Sequence, residues 1–188
     1  MRLFVAIDLD DAVRVAIRNE QSRIARSIEP AGASLRWVSP DHMHITLVFI
    51  GERDEASASS ITSAMAAELA CPPFTVVLRH VGVFPPRGAP RALWIGVAGG
   101  ARELSELQRR IADRLRPLGC ADEGRPFTAH LTVGRFRTSR PADRRRVTDL
   151  DASAPIGSFV VDHATLYRSV LSSAGPSYTA LARANLRL

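Results

Sequence analysis

Two histidines in this chain stand two residues ahead of a threonine, in His44-Ile45-Thr46-Leu47 and His130-Leu131-Thr132-Val133. Side chains alternate faces along an extended strand, so each imidazole shares a face with its threonine hydroxyl. Ile45, Leu47, Leu131 and Val133 take the other face, and strict alternation puts Met43 and Phe49 with them. An imidazole has an ordinary pKa of about 6.5, so one ring can be protonated while another is neutral at physiological pH. Two rings on opposite sides of a phosphorus atom suit the opening of a cyclic phosphate. One takes the proton of attacking water, and the other protonates the leaving ribose oxygen. Thr46 and Thr132 would donate hydrogen bonds to the non-bridging oxygens, where negative charge builds in the transition state.

A single His-x-Thr is a weak signal in a chain with five histidines, and a third copy exists at His163-Ala164-Thr165-Leu166. Context separates the copies. The order strand, helix, His-x-Thr strand runs from Leu3-Phe4-Val5-Ala6-Ile7 to His44 and recurs from Leu93-Trp94-Ile95-Gly96-Val97 to His130. That recurrence reads as an internal duplication. His163 follows His130 too closely to head a unit of its own, and no Arg-Pro-Phe precedes it as Arg125-Pro126-Phe127 precedes His130. It is expected to be an exposed hairpin residue. His42 lies on the face of His44, but no third ligand at suitable spacing completes a metal site. Trp37, beside a short strand, is expected to pack rather than to stack on a base.

The positioning elements can be read from periodicity and punctuation. Strands are expected over residues 2–9, 35–38, 42–50, 74–83, 92–97 and 129–134, with a closing hairpin over 158–170 and 178–186. Helices are expected after Asp10 or Asp11, over 55–70, and over 103–115, where Leu104, Leu107, Ile111 and Leu115 form one face. Residues 140–149, with Arg144-Arg145-Arg146, read as a polar surface loop or short helix. The expected fold is α+β: a single domain of two duplicated lobes, roughly 1–90 and 91–188, each an antiparallel sheet with helices packed outside and the His-x-Thr strands facing a central cleft.

Composition sets bounds. With 188 residues, 46% of them hydrophobic, the chain can bury a core without staples. Cys71 and Cys120 fall in no spaced set of ligands and are expected to be inert thiols in a reducing cytoplasm. The apolar run Leu3 to Ile7 is too short for a signal segment or a membrane span, so no membrane partner is expected. The net charge of +6 suits a polyanionic partner. All 25 basic residues are arginine. The absence of lysine excludes a P-loop, a Schiff base and a lysine adenylate, while arginine offers a planar fork for phosphate.

The stretches Arg36-Trp37-Val38, His44 to Leu47 with Phe49-Ile50-Gly51, Arg91-Ala92-Leu93-Trp94, Arg125-Pro126-Phe127 with His130 to Arg135, and Leu166-Tyr167-Arg168-Ser169 with Tyr178 together resemble the two-histidine (2H) phosphoesterase superfamily. Within it they are similar to the bacterial RNA 2',3'-cyclic phosphodiesterases, historically called 2'-5' RNA ligases. The resemblance covers essentially the whole chain. It implies a bilobal fold, neither metal nor cofactor, and hydrolysis of the 2',3'-cyclic phosphate at an RNA 3' end, or on a nucleotide, to a 2'-phosphomonoester. It also implies that His44 donates the proton and His130 accepts it; the residues themselves leave that order open. By the same match Arg135 would bind phosphate and Arg125 would help hold the RNA backbone. Strict alternation from His130 puts Arg135 on the wrong face, so a bulge or strand end must bring it round. Ala129 departs from the family pattern, which often has proline there. A monomer is expected. Ligation of a cyclic end to a 5'-hydroxyl, the same chemistry reversed, and non-catalytic binding of RNA ends stay open at the level of sequence.

Overall fold

A computed structural model describes residues 1–120, 126–150, 154–172 and 175–187. Arg125, one of the expected phosphate-handling residues, lies outside the described residues. The element order is β1 (Arg2–Asp8), α1 (Asp11–Ile28), β2 (Ser34–Trp37), β3 (His44–Glu52), α2 (Glu55–Ala66), β4 (Leu69–Ala70), β5 (Phe74–Phe84) and β6 (Ala92–Gly99). There follow α3 (Ala101–Leu115), β7 (His130–Thr138), α4 (Asp143–Thr148), β8 (Gly157–Val161), β9 (His163–Ser172) and β10 (Gly175–Arg187). The fold is α+β, as expected.

Local chemistry explains the helices. Asp10 caps α1 by accepting the Val13 N–H at 2.8 Å, and Asp54 caps α2 by accepting from Ser57 at 2.7 Å; each satisfies a donor that the helix itself cannot. Helix α3 buries Leu104, Leu107, Ile111 and Leu115, the face read from periodicity. Helix α2 ends at Ala66, short of the expected residue 70, because Leu69 and Ala70 leave it to pair in parallel with β10. In α4 the arginines serve the fold: Arg146 pairs with buried Asp143 at 2.7 Å, and Arg144 donates to the carbonyls of Pro85 and Gly88.

Ten strands make two sheets, ordered β3-β1-β9-β10-β4 and β2-β7-β6-β5-β8. The boundary expected near residue 90 does not divide them. Sheet one borrows the closing hairpin β9–β10, because β1 has a second edge that β9 pairs; sheet two borrows β2, which pairs with β7. Helices cross over as well, since α1 packs on β8 and α4 of the second sheet and α3 packs on β3 of the first. One apolar cluster, running from Leu3 through Ile17, Leu78 and Leu107 to Leu186, fills the interior. No described helix is long and apolar enough to cross a membrane.

The duplication is visible in the ladders. Between β1 and β3, Ala6 faces Thr46 but Val5 faces Val48, so Leu47 is an extra residue. Between β6 and β7, Trp94 faces Thr132 but Leu93 faces Gly134, and Val133 is the extra residue. The same bulge therefore falls at the fourth position of both motifs. An extra residue reverses the parity of all that follows. Arg135, opposite Ala92, thereby joins the face of Thr132 and Trp94. Phe49, expected in the core by strict alternation, is turned out for the same reason and is 50% exposed.

A close approach next to His130 gives a test of this packing. A Cβ on Gly82 would collide with the Trp94 ring, and a ring cannot give way as a flexible side chain can. Gly82→Ala is expected to destabilise the protein by about 1–3 kcal/mol in a denaturant titration; an unchanged midpoint would mean that the Trp94 ring is free to move.

Candidate active site

His44 opens β3 and enters an aromatic corner. Its ring lies 4.8 Å from Phe4, edge-on to Tyr178 at 5.3 Å, and 6.5 Å from Tyr167. A cavity of ≈370 Å³ is bounded here by Asp8, His42, His44, Tyr167, Ser177 and Tyr178, among others. His130 opens β7 with a comparable wall, Phe84 at 5.1 Å and Trp94 at 6.5 Å. The two rings are tethered alike. His130 Nδ1 lies 2.7 Å from the Thr128 carbonyl, and the His44 ring bonds the His42 carbonyl. A carbonyl only accepts, so Nδ1 of His130 carries the proton and Nε2 of the neutral ring is left as acceptor.

The strands bearing the two motifs are pinned together. Gln21, buried on α1, donates through Nε2 to the carbonyls of Val38 and Val133, both at 2.9 Å. The Val38 N–H also donates to the Val133 carbonyl at 3.0 Å. The segment entering β3 is thus fixed to the bulged residue of β7. Arg14, from the same helix, donates to the carbonyls of Leu9 and Pro40 on either side of that corner.

Thr46 and Thr132 are half-buried on the faces of their histidines. Arg135 is exposed, and its charge is felt at Tyr178: burial raises that hydroxyl's pKa, while Arg135 and Arg2 pull it down. Sheet two's arginine is therefore near the aromatic corner of sheet one. Trp37 packs, its ring 3.4 Å from where a Cβ on Gly134 would be. His42 stands edge-on to Tyr178 at 5.3 Å. Among the described residues no three His, Cys, Asp or Glu side chains gather as a metal-binding group.

Asp8 escaped the sequence reading, which saw only a charge ending an apolar strand. It stands opposite His44 in the β1–β3 ladder and accepts from the hydroxyls of Thr165, at 2.9 Å, and Tyr167. Burial pushes the Asp8 carboxyl up, but the contacts from His163, Tyr167 and Thr165 together outweigh it and hold the group at about 2. His163 is also corrected. Its side chain is only 23% exposed, with Nδ1 on Asp162 and Nε2 3.6 Å from Asp8. At that distance the Asp8 contact is an ion pair rather than a hydrogen bond. Asp8 first, then Asp162, raise the His163 pKa against the effect of burial. The signal available in the sequence was the third His-x-Thr itself.

Comparison with known proteins decides the family. The family model of the 2'-5' RNA ligase superfamily matches residues 15–171. The chain belongs to this superfamily. An Archaeoglobus fulgidus protein described as RNA 2',3'-cyclic phosphodiesterase is 34% identical over 181 residues, covering 95% of this chain and 96% of its own. A Thermotoga maritima protein of the same description is 31% identical, covering 96% and 93%. Among solved structures, a Thermus thermophilus protein, TT0787, superposes with a TM-score of 0.77 at 28% identity, over 100% of this chain and 98% of its own. E. coli LigT complexed with 3'-AMP gives 0.75 at 28%, with the same coverage. The superfamily match spans all three His-x-Thr copies and both bulges.

Burial dominates the electrostatics of His44. It pushes the ring down to about 4, against the opposing pull of the His42 carbonyl and Asp8, with His42 and Arg14 adding to the fall. In the empty protein the ring should therefore stay neutral down to about pH 5, and NMR should find its midpoint near 4. The sign for stability follows. The unfolded chain takes this proton near pH 6.5 and the folded one only near 4, so acid between those values favours unfolding. His44→Gln should flatten that part of the stability–pH curve. A His44 midpoint at the ordinary value would remove burial as the controlling force.

Proposed function

We propose that the chain hydrolyses the 2',3'-cyclic phosphate at RNA ends to a 2'-phosphomonoester, with His44 and His130 as the acid–base pair. The observation that carries the reading is the repeated construction: two bulged His-x-Thr strands, each with its ring tied to the carbonyl two residues before it. Relatives described as RNA 2',3'-cyclic phosphodiesterases, with coverage above nine-tenths on both sides, support the substrate class.

In the proposed reaction water attacks phosphorus and the bond from phosphorus to the ribose O3' breaks. Nε2 of His130, free of a proton because Nδ1 holds one for Thr128, takes the proton of the water. His44 gives its proton to the departing O3'. The hydroxyls of Thr46 and Thr132 and the guanidinium of Arg135 stabilise the non-bridging oxygens; Arg125 is proposed to hold the backbone beyond them. His44, held near 4 when the site is empty, acquires its proton as the anionic phosphate replaces the solvation that burial removed. Both histidines come from one chain, so the mechanism asks for no second copy and the enzyme is proposed to act as a monomer.

Turnover of a short RNA with a cyclic end should yield the 2'-phosphate, follow a bell in pH, and persist after exhaustive EDTA treatment. His44→Ala and His130→Ala should each lower kcat by at least about 10²-fold, with the double variant little worse than the poorer single. Folded single variants with near-wild-type turnover would end the two-histidine mechanism, and activity lost to EDTA and restored by a divalent ion would put a metal in its place. Thr46→Val or Thr132→Val should cost on the order of 10–10³ in kcat; equal rates would make the hydroxyls structural.

A further inference from the structure

The third His-x-Thr obeys the same alternation as the other two. Ala164 and Leu166 are fully buried, so His163 and Thr165 share the opposite face. In the β1–β9 ladder Thr165 stands opposite Ala6. The imidazole and the hydroxyl of this copy converge on the carboxylate of Asp8, at 3.6 Å and 2.9 Å to Oδ2. Tyr167, two residues further along β9, adds its hydroxyl to Oδ1. The copy thus has an internal anion where its two counterparts face a phosphate in the proposed reaction.

We infer that this third motif is a carboxylate clamp that holds Asp8 ionised across from His44, and that Asp8 is the positioning residue for the proton that His44 donates. The inference rests on the proposed roles of the two histidines. An ionised carboxylate in a site for phosphate works against binding, and leaving it three donors prevents the easy remedy of neutralising it. Its presence therefore calls for a compensating gain. The group that gains is His44, its neighbour in the β1–β3 ladder and its companion on the cavity wall.

The other groups that face His44 do not supply this. Arg14 from α1 and His42 from the turn before β3 oppose a proton there, and Tyr167 and Tyr178 from β9 and β10 are uncharged at neutral pH, their hydroxyls raised by burial. Asp41 lines the same cavity but is not among the groups that act most on the His44 ring. His163 itself is balanced between Asp8 and Asp162, with Arg183 opposing its charge. Its position fixes the carboxylate without closing the cavity.

The test is Asp8→Asn, which keeps the shape and removes the charge. NMR should show the His44 midpoint falling by about one unit in the empty protein and with saturating inorganic phosphate. On a 2',3'-cyclic nucleotide kcat at neutral pH should fall roughly tenfold, the loss of protonated fraction that such a shift entails, while KM stays level or drops because a like charge has left the site. Asp8→Glu should recover part of both effects. An unmoved His44 midpoint, or a raised KM with unchanged kcat, overturns the inference even if the wild type opens the cyclic phosphate. A wild type inactive on cyclic phosphates whose His44 midpoint still responds to Asp8→Asn would sink the proposed function and leave the clamp standing. Should Asp8→Asn fail to fold, Tyr167→Phe keeps the ring beside His44 and removes one donor. The Asp8 carboxyl should then titrate above its value of about 2, and an unmoved carboxyl counts against the clamp.

Discussion

One extra residue in each of two ladders, Leu47 in the first sheet and Val133 in the second, decides which side chains the cleft can use. Leu47 and Val133 are buried, so the bulges do not arise from loose packing at an edge. Each lets the strand keep its apolar residues inside on both sides of a change of parity. Were β7 regular, Arg135 would enter the core, where an unpaired guanidinium is not tolerated. With the bulge it is exposed at the end of the row that begins with His130 and Thr132. The bulge converts a strand suited only to packing into one that presents imidazole, hydroxyl and guanidinium together.

The bulged residue also ties the two sheets together. The Val133 carbonyl receives both the Gln21 amide and the Val38 N–H, a junction that belongs equally to helix α1, to the approach to His44 and to the strand of His130. A buried amide left without partners costs about 1–3 kcal/mol, so Gln21 is held where it can satisfy both carbonyls. The separation of the two motifs is then set by a few hydrogen bonds through one side chain, not by a loop. An acid and a base that must act on one phosphorus need this kind of rigid spacing.

What could be read from the sequence is what depends on local periodicity. The face of α3, the faces of His44-Ile45-Thr46 and His130-Leu131-Thr132, and the need for a bulge before Arg135 all follow from spacing. Phe49 was misplaced because the equivalent bulge at Leu47 leaves no mark in the composition of β3. The division near residue 90 failed because strand pairing between distant segments, β1 with β9 and β2 with β7, is not a local property. Asp8 and His163 were missed for the same reason. Their meeting depends on the register of two strands at opposite ends of the chain, and each residue by itself looks like an ordinary polar terminus of an apolar run.

The duplicated frame makes the differences between its copies informative. The residue paired with His44 is Asp8, and the one paired with His130 is Gly96. The residues paired with Thr46 and Thr132 are Ala6 and Trp94, and those following the bulges into the cleft are Phe49 and Arg135. One copy therefore sets its imidazole beside a carboxylate, and the other replaces that carboxylate with hydrogen and places a cation further along the strand. A carboxylate favours the protonated ring and a cation disfavours it. Symmetry of the backbone puts a ring in each sheet; its breaking in the side chains gives one of them a reason to carry the proton. This polarity agrees with His44 as donor and His130 as acceptor, and it comes from groups that need not touch the substrate at all.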